Sequence, residues 1–169
     1  SNGYGGAIYF SNSGGQSVLN RVCGYDCSSS PHYQFEYIGV NNAASSKNFV
    51  NYSSISRCVN ENSNTQQINT LNGGNICSPS VNFSLNKCQR YSIITCFPYF
   101  DSSSVTCSLS YSTIVDIIAI GNGCLWLNTK GANFEIKSCN ILRNTQGSLG
   151  SYGTIYTTGN LVIENSCIL

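Results

Sequence analysis

Gly5-Gly6-Ala7-Ile8-Tyr9-Phe10 is a glycine-led apolar motif that this chain repeats as Gly73-Gly74-Asn75-Ile76-Cys77, Gly121-Asn122-Gly123-Cys124-Leu125-Trp126-Leu127 and Gly153-Thr154-Ile155-Tyr156. A second series closes successive strand-like runs at Arg57-Cys58, Lys87-Cys88, Ser138-Cys139 and Ser166-Cys167. Recurrence every few tens of residues marks a solenoid, because a short unit buries its apolar face only by stacking on its neighbours. The residues between the motifs are of strand type. Val81, Phe83 and Leu85 alternate with Asn82, Ser84 and Asn86, and Val105, Cys107 and Leu109 alternate with Thr106, Ser108 and Ser110. Further on, Phe134 and Ile136 oppose Glu135 and Lys137, and Leu161 and Ile163 oppose Val162 and Glu164. Period two with one apolar side predicts half-buried strands. Ser, Asn, Gly, Tyr and Ile dominate, which disfavours helices. The expectation is an all-β chain: a parallel β-helix, or β-solenoid, of about six coils over 3–30, 33–64, 66–92, 93–121, 122–148 and 149–169. Ile8, Ile76, Leu125 and Ile155 are expected to point inward at similar places in their coils.

Composition narrows the function classes. The 169 residues suit one domain, 1–169, yet only 9% are charged and the net charge is +1. About a quarter is usual for a soluble domain. Without a basic patch, nucleic acid and anionic membrane surfaces are poor partners. No apolar run is long enough to span a bilayer; the stretch 114–120 is short and interrupted by Asp116. Ten cysteines point to an oxidising compartment or to buried, stacked thiols. The sequons at Asn51 and Asn82 fit an extracellular glycoprotein. A metal site is not indicated, since Cys23 and Cys27 are the one close pair and His32 is the one histidine. No cofactor motif is present.

Disulfide candidates follow from spacing. Cys23 and Cys27 would close a turn, and Cys139 and Cys167 would join adjacent coils. Stacked coils bring equivalent residues to about 4.8 Å, inside disulfide reach. The column of Cys58, Cys88, Cys139 and Cys167 is broken at Ser112, which argues against a continuous ladder of bonds.

The Gly5-Gly6-Ala7-Ile8 motif resembles the repeats of chlamydial polymorphic outer membrane proteins. Cys23-Gly24-Tyr25-Asp26-Cys27, with Tyr52-Ser53-Ser54-Ile55-Ser56-Arg57-Cys58, is more similar to the large cysteine-rich surface proteins of trichomonad protists. The resemblance implies a right-handed, pectin-lyase-like coil displayed at a cell surface as an adhesin or as a structural, filament-forming element, and it brings no catalytic residue. Host surface glycans or proteins are further expected partners, and the uncapped alternating strands Ala7 to Phe10 and Leu161 to Ile163 point to copies of the chain or adjoining segments of the same solenoid. The chain is expected to be a segment of a longer solenoid.

The competing class is a carbohydrate-active β-helix enzyme, which needs converging acids and bases. The seven acids are Asp26, Glu36, Glu61, Asp101, Asp116, Glu135 and Glu164, and none forms a close cluster. Glu135 and Glu164, one coil apart beside Lys137, read as solvated surface residues. His32 follows Pro31 in a serine-rich loop without a triad context. Eleven tyrosines and Trp126 leave a third class open, a sugar-binding module using stacked aromatics. A flat threonine array is excluded, since Thr154, Thr157 and Thr158 fall in one coil.

Overall fold

The computed structural model describes residues 6–28, 35–58, 67–88, 92–121, 123–147 and 152–169. Three six-stranded parallel sheets run along it. The first face stacks Ile8–Ser11, Glu36–Gly39, Asn69–Asn72, Ile94–Phe97, Leu125–Leu127 and Ile155–Thr157. The second stacks Ser17–Asn20, Lys47–Asn51, Asn75–Pro79, Val105–Ser110, Asn133–Lys137 and Asn160–Glu164. The third stacks Cys23–Tyr25, Ser54–Ser56, Asn82–Ser84, Thr113–Val115, Asn140–Leu142 and Cys167–Ile168. A short fourth face holds Lys87–Cys88, Ile118–Ala119 and Thr145–Gln146. Each strand pairs with its counterpart in the next coil rather than with its neighbour in sequence. This is a β-solenoid of six rungs, all-β and parallel as the repeats predict.

In-register pairing turns positions into columns. The third face has an inward column of Gly24, Ile55, Phe83, Ile114, Ile141 and Ile168. Ile55, Phe83, Ile114 and Ile141 are sealed from solvent, and each such side chain contributes about 1.5–3 kcal/mol of burial. Gly24 leaves a gap in this column, and the Phe35 ring fills it: a Cβ at Gly24 would overlap Phe35 Cε2.

Two corners repeat in the left-handed region of backbone space. Arg21, Tyr52, Ser80, Tyr111, Ser138 and Asn165 turn the chain from the second face to the third, with φ from 51° to 57°. Asp26, Arg57, Leu85, Asp116 and Arg143 turn it off the third face, with φ from 51° to 55°. A side chain at φ > 0 carries a steric cost, and the stack offsets it with hydrogen bonds to the previous rung. At the first corner the hydroxyls of Ser53, Ser112 and Ser166 accept from the amides of Val22, Val81 and Cys139 at 3.1, 3.0 and 3.0 Å. At the second, Asn86 Oδ1 accepts from Cys58 N and Asn86 Nδ2 donates to Ile55 O, both at 2.9 Å. Asn144 repeats this on Ile117 N and Ile114 O, both at 3.0 Å.

The corners correct part of the sequence reading. Leu85 ends its alternating run at a left-handed corner and is exposed, not inward. Val105 is exposed and Thr106 buried, because the register shifts between Val105 and Cys107. Ile8, Leu125 and Ile155 share one inward column with Glu36, Asn69 and Ile94. Ile76 is inward and buried, but on the second face, in a column with Asn48, Cys107, Phe134 and Leu161. Its glycines mark a corner: Gly73 and Gly74 have φ of +82° and +65°, and a Cβ on either would press on Val40 O or Ser46 O.

Candidate functional site

The six acids among the described residues fall into four environments. Two are tied at the second corner, where column neighbours carry opposite charge. Arg143 grips Asp116 through two bonds of 2.7 and 2.8 Å, holding that carboxyl below its usual range. Arg57 lies 3.1 Å from Asp26 and sits 5.1 Å above the Tyr25 ring. Two more share a lysine on the second face: Lys137 Nζ reaches Glu135 at 2.8 Å and Glu164 at 3.2 Å, which raises the lysine pKa. Glu164 pairs in register with Lys137 itself, and Glu135 with Val162. Asp101 closes the turn before the fourth second-face strand. It accepts from Ser103 N, Ser103 Oγ and Ser104 Oγ at 2.8, 2.7 and 2.6 Å, which pulls its pKa to about 2.

Glu36 stands apart. It points into the coil between Ile8 and Asn69 and is fully buried. Neither carboxyl oxygen has a hydrogen-bond partner. Burial pushes its pKa up to about 8, opposed by the adjacent Asn69. From sequence Glu36 is only one of seven scattered acids; its parity with Ile38 and Val40 is the signal for its burial. Glu61 and His32 lie outside the described residues. Among the described residues no group of three metal-ligating side chains converges.

Tyr9, Tyr37, Trp126 and Tyr156 lie in one column of the first face, interrupted in its middle by the buried Thr70 and Thr95. Rings stack at both ends. Tyr9 and Tyr37 lie 5.4 Å apart at 17°. Trp126 and Tyr156 lie 4.1 Å apart at 26°, and Tyr152 meets both edge-on at 5.1 and 4.6 Å. In-register parallel stacking is what brings residues so far apart in sequence onto one face.

No family model, curated protein or solved structure matches this chain.

None of the ten cysteines is in a disulfide. The column of cysteines expected from spacing is not one column. Cys58 follows Arg57 at the second corner, Cys88 lies on the fourth face opposite Ala119, Cys139 is level with Ser112, and Cys167 is level with Asn140. Unequal coil lengths absorb the difference. Cys139 is buried while Cys167 is exposed, so the expected adjacent-coil pair lies one residue out of register. The expected turn pair also separates: Cys23 is exposed on the outer side of the third face, whereas Cys27 packs against the core. Spacing missed two other juxtapositions. Cys27 and Cys58 occupy equivalent corner positions of the first two rungs, and Cys96 meets Cys107 within the fourth. Of the two sequon asparagines, Asn82 is exposed on the third face and Asn51 is half-buried with its Oδ1 covered.

Proposed function

We propose that this chain is a non-enzymatic β-solenoid module of an extracellular surface, acting as an adhesin or as a structural, filament-forming element. The supporting observation is how its acids are engaged. Asp26, Asp116, Glu135 and Glu164 are held by cations on the outside, Asp101 closes a turn, and Glu36 is sealed inside without a base beside it. Hydrolysis or elimination on a sugar needs an acid and a base of separated pKa facing one groove, and the described residues supply no such pair. We include in this reading a right-handed, pectin-lyase-like coil, in line with the usual hand of parallel crossovers, and a surface role like that of the trichomonad proteins whose motifs the chain resembles.

The rims favour self-association. Ile163 and Ile168 hold inward columns of the sixth rung yet are exposed, and Ile8, Phe10, Leu19 and Val22 of the first are only half-buried. Among the described residues each terminal rung pairs with one neighbouring rung, and an edge of that kind takes a strand from an adjoining coil or a second copy. Imaging the purified chain by electron microscopy, alongside a polysaccharide-cleavage panel, tests the reading. End-to-end assemblies without cleavage are expected. Cleavage abolished by Glu135→Gln or Glu164→Gln would overturn it.

One observation favours a second reading, a sugar-binding module: the Trp126, Tyr152 and Tyr156 cluster presents ring faces and edges on one side of the coil. Binding on a glycan array that Trp126→Ala removes, with the fold intact, would support it.

A further inference from the structure

Cys27 and Cys58 are the same residue of consecutive rungs. Tyr25 pairs in register with Ser56, Asp26 and Arg57 both turn in the left-handed region, and a cysteine follows each. The two side chains take the same course: Cys27 Sγ donates to Tyr25 O at 3.6 Å and Cys58 Sγ donates to Ser56 O at 3.7 Å. Equivalent residues of neighbouring parallel strands are about 4.8 Å apart, within the Cα separation a disulfide accepts. The next members of the column are Asn86, Ile117 and Asn144. Access is one-sided. An open recess lined by Asp26, Cys27, Ser28, Arg57 and Leu85 reaches Cys27 from solvent, while Cys58 is buried beneath.

We infer that Cys27 and Cys58 form a thiol pair that closes to a disulfide between the first two rungs when a small disulfide oxidant such as oxidised glutathione enters the recess. The Cys27 thiolate attacks one glutathione sulfur, forming a mixed disulfide and releasing one glutathione thiolate. Cys58 gives its proton to water, and its sulfur attacks the Cys27 sulfur. The Cys27–Cys58 bond forms, the mixed bond breaks, and the second glutathione thiolate leaves and is protonated. Two protein thiols lose two electrons, and one oxidant disulfide becomes two thiols. Burial holds the Cys58 thiol well above its ordinary pKa, so the second step limits the rate. Cys96 and Cys107 also meet, but they line an enclosed interior space of about 20 Å³ with no such approach.

The test is oxidation of the folded, fully reduced chain with oxidised glutathione, followed by alkylation and non-reducing peptide mapping. The expected product joins the peptides of Cys27 and Cys58. Its closing rate should rise about tenfold per pH unit from pH 7 to 9, as the thiolate fraction does. Cys58→Ser should arrest Cys27 as the glutathione adduct. A wild-type map in which Cys27 stays a thiol or an adduct, or in which Cys58 links elsewhere, would overturn the pairing, and that map stands even if the serine variant fails to fold.

Discussion

The second and third rungs carry polar residues in inward positions that the fourth and fifth rungs fill with apolar ones. Glu36 and Asn69 precede Ile94 and Leu125 in one column, and Asn48 stands where Cys107 and Phe134 stand above it. The parallel ladder runs through both halves, with one register shift at Val105–Cys107. Register is therefore fixed by the ladder and by the corners, while the interior tolerates different chemistry at different cost. Asn48 ties the Gly73-Gly74 corner to the preceding rung, because its Nδ2 donates to Ile38 O, Asn72 O and Gly73 O at 3.4, 3.3 and 3.3 Å. Glu36 has no such partners, and nothing in the structure explains its retention.

The apolar half should feel truncation most. Phe134→Ala removes a fully buried ring from the fifth rung and should cost about 3–5 kcal/mol in urea unfolding. A loss under about 1 kcal/mol would mean that the central rungs are no better packed than the second and third.

The polar half should instead feel pH. Glu36 binds its proton more tightly folded than unfolded, so its favourable contribution is complete below the unfolded pKa near 4.5 and is lost as pH rises towards about 8. Stability should fall by roughly 4–5 kcal/mol across that window in chemical unfolding, and Glu36→Gln should flatten this fall. A wild-type profile that stays level from pH 5 to 9 would place Glu36 in contact with water.

The first rung sharpens the contrast from the other side. Gly24→Ala drives a methyl into the Phe35 ring and should cost about 1–3 kcal/mol by overpacking. Pairing it with Phe35→Leu should recover part of the loss, measured as the coupling in a double-mutant cycle. The corners should respond least. Tyr111 holds φ 51° with its side chain exposed, and Tyr111→Asn should raise stability by about 0.5–1 kcal/mol, since asparagine tolerates that region better.

Much of the architecture was legible because repetition and alternation are written directly in residues such as Phe83, Phe134 and Ile136. Phase was harder to read. The glycines at 73 and 74 look like those at 5 and 6, yet they shape the corner before the second face. A cysteine column drawn from spacing fails because each coil carries a loop of its own length, so near-equal intervals place Cys58, Cys88, Cys139 and Cys167 at four different positions. The ion pairs Asp26–Arg57 and Asp116–Arg143 were invisible for the same reason: only the register makes them column neighbours. The burial of Glu36 was legible only in its parity with Ile38 and Val40.

The central claim is the in-register parallel stack, and cross-strand NMR contacts in isotopically labelled protein test it most directly. Side-chain contacts should link Ile55 to Phe83, Phe83 to Ile114, and Ile114 to Ile141, one rung at a time. Antiparallel Hα–Hα contacts pairing strands adjacent in sequence, such as Asn75–Pro79 with Asn82–Ser84, would contradict it.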